Sequence, residues 1–583
     1  MIGLISATAA GAAARDRLAA AWPGRTRVYE GPVGRSVERA FTECEQLVCF
    51  LATGAVVRLL APLLAGKSVD PGVVCVDEGQ RYAVSLLGGH GGGANELAAQ
   101  VADVLGCAPV VTTATDAAGV PGLDTLGWPV EGAVASVTRA VLDGEPVELR
   151  ADAVWPLPPL PGNVVPEAAS GAGAPPAAEA AGTGAVRADG RAVLHVTDRI
   201  VHVGPYDAVL RPPSLVVGVG ASKDAPLDEV LGLVEETLRG AGLSALSVAA
   251  LATVDAKAQE PGIVGAAERL GVPLVTYAPE RLASVAVPNP SGAPLAAVGT
   301  PSVAEAAALA DSGQLLVPKR KSSPDGRAAM ATCAVVRRAP RGRLAVVGLG
   351  PGARDLLTPR ATDELRRASV VVGLDQYVDQ IRDLLRPGTR VVESGLGAEE
   401  ERARTAVAEA RAGHAVALIG SGDAGVYAMA SPALAQASDD IDVVGVPGVT
   451  AALAAAAILG APLGHDHVSV SLSDLHTPWE VIERRVKAAA EADIVVTFYN
   501  PRSRGRDWQL PKALSILAEH RDPGTPVGVV RNASRADESS RVTTLAGLDP
   551  ATVDMMTVVT VGNTATREVA GRMVTPRGYR WQS

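Results

Sequence analysis

The chain is predicted to be an α/β protein of several domains. Three observations carry this: short apolar runs alternate with helical patterns almost throughout, glycine clusters recur directly after those runs, and 583 residues exceed one ordinary core. At roughly 150 residues per domain the length corresponds to about four units.

The elements follow in order. Residues 1–125 read as a first domain, with strands at 1–6, 46–51, 73–76, 82–87 and 110–113 and a helix at 94–105. Residues 126–213 read as a small middle domain with strands at 146–150 and 192–196. Between these, 156–191 is so rich in Pro, Ala and Gly that it cannot bury a core and reads as an exposed insertion. A third domain, 214–338, opens on the apolar run SLVVGVG and again alternates strand and helix. The segment 339–343 is a linker, and 344–583 begins afresh with a strand at 344–347. No repeat of 20 to 50 residues is visible, so a solenoid is excluded.

Composition narrows the function. Aromatic residues make up only 3%, which argues against base-stacking platforms and carbohydrate sites. Lys plus Arg number 53 against 63 Asp plus Glu, a net charge of −10, so neither nucleic acid nor an anionic membrane is the expected main partner. The nearest approach to a basic run, Lys319–Lys321 followed by arginines at 337, 338, 341 and 343, reads as a solvated linker region. Five cysteines without a C-x-x-C motif point to reduced thiols and a cytoplasmic protein. The first residues read as a strand, not a signal peptide. No uncharged apolar run approaches the ~20 residues of a membrane span, and 450–463 reads as a buried helix.

The motifs that carry chemistry begin with LAVVGLGPG, 344–352, where glycines after a strand let backbone amides approach a ligand. On its own this turn fits any nucleotide-binding enzyme. Four further segments follow: LIGSGDAGVYAMA (418–430), VVGVPGVTAALAAAAILGAPLGHD (443–466), DIVVTFYNPRSRGRDWQL (493–510) and VDMMTVVTVGNTAT (553–566). In this order and spacing they resemble the tetrapyrrole methylase family. SGDAGVYAMA, GAPLGHD, SLSDLHTPW and FYNPRS resemble its precorrin-3B C(17)-methyltransferase branch and the cobalt-precorrin-3 counterpart. The resemblance implies two α/β lobes with S-adenosyl-L-methionine in the cleft between them. It implies a tetrapyrrole substrate, and commonly a homodimer through this domain. Carried onto this chain, the cofactor site consists of Gly350, Pro351, Ser421, Gly422, Asp423, Val426, Thr450, Ala451 and Asn500. Small residues leave room for adenosine, and a carboxylate can answer the cofactor's ammonium. Methyl transfer from a sulfonium needs chiefly alignment, so no nucleophile triad is expected.

Asp375, with Tyr377 nearby, stands where the family faces its substrate and is a candidate for proton handling against a plain loop carboxylate. His465 and His467 have the spacing of a metal pair, but the family carries an apolar residue at the second position, and no metal is expected. Arg502, Arg504 and Arg506 are candidates for the substrate's acetate and propionate carboxylates, or plain surface arginines.

In the first domain, the strand at 82–87 opens into Gly88-Gly89-His90-Gly91-Gly92-Gly93, with Asn95 at the start of a helix. Five glycines around an imidazole allow a general base beside an oxyanion site, an anion nest, or a flexible turn. The wider stretch 53–116 resembles the N-terminal domain of cobalt-precorrin-5A hydrolase, with Gly88 where that family has serine. VVGVGASKD, LATVDAKAQEPGI, VGTPSVAEAAAL and LLVPKRKS resemble its C-terminal domain. The resemblance implies α/β domains that open a δ-lactone and release acetaldehyde. Such hydrolysis needs a base and oxyanion donors, roles for which His90 and the 91–95 amides, with Asn95, are the candidates. Lys67, Asp77, Lys257, Glu260, Glu305 and Lys319 are candidates for substrate carboxylates or proton transfer, against helix caps and structural ion pairs. The alternative reading keeps a methylase of another tetrapyrrole position and makes the N-terminal part a non-catalytic corrinoid-binding module.

Overall fold

A computed structural model describes residues 1–66, 69–89, 91–167, 191–324, 326–503 and 505–579. The chain divides into two compact units, Met1–Ala153 with Leu160–Pro340, and Val154–Pro159 with Arg341–Ser583.

The first unit contains three sheets. The first is ordered Thr26–Tyr29, Ile2–Ser6, Gln46–Phe50, Gly72–Val76, Tyr82–Leu87, Ala108–Val110, parallel except between Gly72–Val76 and Tyr82–Leu87. Helix Ala94–Leu105 forms as predicted: Ala94, Leu97, Ala98 and Val101 recur at helical spacing and pack on Leu4, Val48 and Val74. The second sheet places Ala192–Val196 between Asp207–Leu210 and Val147–Ala151, parallel to both. Here the predicted insertion is corrected in part, because Val164–Pro166 pairs with Val147–Leu149 as an edge strand. Most of the remainder, 168–190, lies outside the described residues. The third sheet centres on Leu215–Ala221, parallel to Val248–Val254 and antiparallel to Ala331–Arg337. A buried carboxylate joins the second and third sheets: Asp198 accepts from Arg337 Nε and Nη2, both at 2.6 Å, and from Ser214 Oγ at 2.6 Å.

The second unit has two five-stranded sheets. One is wholly parallel, ordered Arg390–Ser394, Val370–Leu374, Ala415–Gly420, Arg343–Gly348, Asp442–Val446. Its β-branched, two-sided apolar strands suit burial on both faces. The other is mixed, ordered His467–Ser471, Val495–Tyr499, Thr557–Val561, Pro526–Arg531, Ser539–Thr544, and only its first pair is parallel. The first strand starts at Arg343 inside the expected linker, because Arg343 pairs with Ala415 and Asp442. The alanine-rich segment forms helix Ala451–Leu459, which packs Ala454, Ala455 and Leu459 on Val530, Val558 and Met573.

Candidate functional site

In the second unit, three turns meet at the carboxyl ends of the parallel strands. Gly350 and Gly422 exchange both backbone hydrogen bonds: Gly350 N–H donates to Gly422 O at 3.0 Å, and Gly422 N–H to Gly350 O at 2.7 Å. The turn after Asp442–Val446 comes so close that a Cβ on Gly448 would lie 2.2 Å from Gly422 O. Only glycine permits that approach. Asp423 staples the turns together, its carboxylate accepting from Gly425 N–H at 2.8 Å and from Gly448 N–H at 3.0 Å.

A cavity of about 240 Å³ adjoins this knot, and Ser421, Gly422, Val426, Thr450, Ala451 and Asn500 all line it. Leu374, Ile419 and Met429 give it an apolar wall, while Tyr377, Arg402, Tyr427 and Tyr499 supply polar tips. Gly350 and Pro351 are buried and do not line the cavity, so they shape the turn from beneath.

Tyr499 and its neighbours organise the cavity. The Tyr499 hydroxyl lies 2.6 Å from Thr450 Oγ1 and accepts from Ala452 N–H at 2.9 Å. It thereby closes the amino end of helix Ala451–Leu459, satisfying one of the donors a helix start leaves open. Burial pushes its phenol pKa up, so the hydroxyl stays protonated. Tyr427 donates to Ser469 O at 2.8 Å, and its ring lies 5.3 Å from that of Tyr499. Asn500, held at a φ of 49°, donates to Ser471 Oγ at 3.1 Å. Arg402 has a side chain only 6% exposed and reaches Ser394 Oγ, Gly395 O and Glu399. The motifs singled out neither Arg402 nor the Thr450–Tyr499 pair; Tyr499 stood inside the quoted FYNPRS run, but its partner lies 49 residues away.

Several expected site residues do other work. Asp375 is exposed, accepts from Gln376 N–H at 2.6 Å and does not line the cavity; Tyr377, two residues on, does. Arg506 is buried and donates to Leu472 O at 2.9 Å and to Asn500 O, so it braces the Asn500 loop and does not await a carboxylate. Arg502 donates to Ala551 O at 2.6 Å, and Arg504 lies outside the described residues. His465 Nδ1 accepts from Asp466 N–H at 2.7 Å, and His467 Nδ1 lies 3.2 Å from His465 O.

In the first unit, His90 and Lys67 lie outside the described residues. The turn around His90 folds on itself: Gly92 N–H and Ala94 N–H donate to Gly88 O, and Asn95 N–H to Gly89 O. Three of the amides expected to face an oxyanion are therefore already paired. The Asn95 side chain accepts from Ser85 Oγ at 2.7 Å and donates to Thr113 Oγ1 at 3.1 Å. Gly88 has a φ of 64°, a conformation that favours glycine over the expected serine. Asp77 holds the preceding hairpin by accepting from Arg81 and Tyr82 N–H groups. Glu305 is fully buried and accepts from Asn289 and from Lys319 N–H, while the Lys319 ammonium donates to Asn289 O. Lys257 and Glu260 pair at 2.9 Å.

Residues 343–549 match the model for tetrapyrrole (corrin/porphyrin) methylases, 215–336 that for the cobalamin synthesis G C-terminus, and 35–116 that for the cobalamin synthesis G N-terminal region. The chain is 47% identical over 239 residues to the "Probable cobalt-factor III C(17)-methyltransferase" of Salmonella typhimurium, covering 40% of this chain and 99% of that one. It is 41% identical over 250 residues to the precorrin-3B C(17)-methyltransferase of Sinorhizobium sp, covering 41% and 97%. The cobalamin biosynthesis protein CobIJ of Mycobacterium tuberculosis is 44% identical over 248 residues, covering 41% of this chain and 48% of that one. Among solved structures, that of the methyltransferase CobJ is 40% identical and covers 40% of this chain and 100% of that one, with a TM-score of 0.38. The chain belongs to the tetrapyrrole methylase family and carries, ahead of that domain, both halves of cobalamin synthesis G.

Proposed function

We propose that the second unit transfers a methyl group from S-adenosyl-L-methionine to C-17 of precorrin-3B or its cobalt-bearing counterpart, with contraction of the ring. The observation that carries this is the convergence of Ser421, Gly422, Val426, Thr450, Ala451 and Asn500 on one cavity, in a domain 47% identical to a relative named for C(17) methylation. The lining fits the cofactor: an apolar wall suits adenine and the methionyl stem, and hydroxyl, amide and carbonyl groups suit ribose and the amino-acid end. When bound, the cofactor supplies an already activated methyl group, so the protein's task is alignment and exclusion of water. Ser421, Gly422, Thr450, Ala451 and Asn500 form the binding surface. Gly350, Pro351 and Asp423 hold the turns in register, and Val426 closes the apolar side. Tyr377, which lines the cavity where Asp375 does not, is the proposed polar group on the substrate side. Incubation with cobalt-precorrin-3 and labelled cofactor is expected to give a methylated, ring-contracted product. Methylation of uroporphyrinogen III instead would overturn the substrate assignment. A homodimer through this unit belongs to the same reading and is checked by sedimentation.

For the first unit we propose hydrolysis of the cobalt-precorrin-5A lactone with release of acetaldehyde, which makes the chain a bifunctional enzyme of cobalamin biosynthesis. It is supported by the two cobalamin synthesis G matches. His90 is the proposed base, and Asn95, tied to Ser85 and Thr113, positions the turn that carries it. His90→Ala is expected to abolish acetaldehyde release while leaving C-17 methylation intact. Full retention of acetaldehyde release would remove the base assignment, and its absence from the unsubstituted chain would favour a non-catalytic corrinoid-binding module.

A further inference from the structure

The connection between strands Pro526–Arg531 and Ser539–Thr544 was not among the motifs that pointed to the cofactor cleft, yet it reaches the Gly350–Gly352 turn beside that cleft. Arg535 Nε donates to Pro351 O at 3.0 Å across 184 residues of sequence. Its stem lies over the neighbouring glycine: a Cβ on Gly352 would fall 2.6 Å from Arg535 Cγ and 2.9 Å from its Nε. The loop that presents it is strained, with Asn532 at a φ of 51° and Ser534 at 62°. Strain of this kind persists where the surroundings over-determine it and concentrates at functional positions.

Asp537, Glu538 and Asp554 are each paired with groups other than the Arg535 guanidinium. Asp537 takes Arg531 Nη1 at 3.2 Å and Asn532 Nδ2 at 2.6 Å. Asp554 takes Arg531 Nε at 2.7 Å, and Glu538 takes Ser534 N–H at 2.6 Å. Among the described residues, the contact recorded for the Arg535 guanidinium is the one from Nε to Pro351 O. Its two terminal nitrogens form the planar fork that suits a carboxylate. Tyr377, which lines the cavity, lies within the electrostatic reach of Arg535.

We propose that Arg535 is a two-headed positioning residue: its stem and Nε hold the Pro351–Gly352 turn, and its terminal nitrogens take a peripheral carboxylate of the tetrapyrrole. The inference rests on the methyltransferase reading above. One side chain then links the two ligands, so each tightens the binding of the other by the same factor.

Gln in place of Arg535 keeps the stem and a donor near the Nε position but lacks the charge and the fork. Arg535→Gln in the full chain is expected to leave S-adenosylhomocysteine affinity by calorimetry within about twofold while raising KM for the tetrapyrrole about tenfold and changing kcat far less. It should also abolish the tightening of S-adenosylhomocysteine by saturating tetrapyrrole. Arg535→Ala removes both heads and is expected to weaken S-adenosylhomocysteine about fivefold as well. Arg535→Lys keeps the charge without the fork and should not restore KM. An unchanged KM in Arg535→Gln, or a restored one in Arg535→Lys, overturns the carboxylate fork. Unchanged S-adenosylhomocysteine affinity in Arg535→Ala overturns the latch; should that variant not fold, Arg535→Gln and Arg535→Lys still decide the fork. If the unsubstituted chain binds no S-adenosylhomocysteine, the methyltransferase reading itself fails. An active unsubstituted chain with unaffected variants removes only the role of Arg535.

Discussion

Two glycine-rich turns in this protein look alike in sequence and do different things. Both follow an apolar strand. At 348–352 the chain meets two other turns, and Gly350 and Gly422 pair with each other. Side chains from 421 to 500 are left to line the adjoining cavity. At 88–93 the chain meets itself: Gly92, Ala94 and Asn95 amides return to the carbonyls of Gly88 and Gly89. A Cβ on Gly92 would lie 2.6 Å from Gly72 N, so the glycine there clears room for a neighbouring strand. The lesson is that a glycine cluster first reports close backbone packing. Whether it also makes a ligand site depends on what the packing leaves open.

The strongest way to break this comparison is to fill both turns. Gly448→Ala places a methyl 2.2 Å from Gly422 O, a backbone atom that cannot yield. Overpacking of that kind should cost about 3 kcal/mol and weaken S-adenosylhomocysteine more than about 100-fold by calorimetry. Gly92→Ala should carry a similar local cost, read as lost hydrogen-exchange protection over 72–97, with methylation unchanged within about twofold. A methylation defect in Gly92→Ala as large as in Gly448→Ala would erase the distinction. A smaller effect is expected from Asp423→Ala, which leaves the Gly425 and Gly448 amides without their acceptor. About 2 kcal/mol of lost anchoring predicts roughly a thirtyfold loss of S-adenosylhomocysteine affinity. Tyr499→Phe removes one hydroxyl from Thr450 and Ala452. It should cost about 1 kcal/mol, or roughly fivefold in the same measurement.

The same contrast shows what could be read in advance. Helix Ala94–Leu105 stands where hydrophobic periodicity put it, because Ala94, Leu97, Ala98 and Val101 bury one face on the first sheet, and strand Tyr82–Leu87 stands where its apolar run put it. Strand Thr26–Tyr29 escaped because only Tyr29 of its four residues is buried, leaving no alternation to detect. Val164–Pro166 escaped because a three-residue edge strand in a Pro-rich stretch carries too little apolar signal. In the cavity, Ser421, Gly422, Thr450 and Asn500 were legible through their motifs. Arg402 and the latch at Arg535 were not, since each acquires its role only from partners the fold brings near. Arg506 was misjudged for a related reason: its burial, which decides that it braces a loop, is invisible in an R-S-R-G-R run.

The smallest expected effect tests the first turn through the hairpin that feeds it. Asp77 Oδ1 accepts from Arg81 N–H at 2.8 Å and from Tyr82 N–H at 2.7 Å, fixing the start of strand Tyr82–Leu87. Burial alone would raise the pKa of this carboxyl, but the Tyr82 and Arg81 amides and the Arg81 guanidinium outweigh it and hold it below the usual 3.8. A carboxyl with a lower pKa folded than unfolded stabilises the fold fully above its unfolded value, and that contribution disappears as pH falls through the folded one. Exchange protection of the 82–87 amides should therefore decline on acidification below about 3.8. Asp77→Asn, which cannot titrate, should begin less than about 1 kcal/mol weaker at neutral pH and show a shallower decline. Neither change should reach the cavity, so methylation by Asp77→Asn should equal that of the unsubstituted chain. An acid limb of undiminished slope in Asp77→Asn would assign the lability to another carboxylate and leave Asp77 as a neutral turn former.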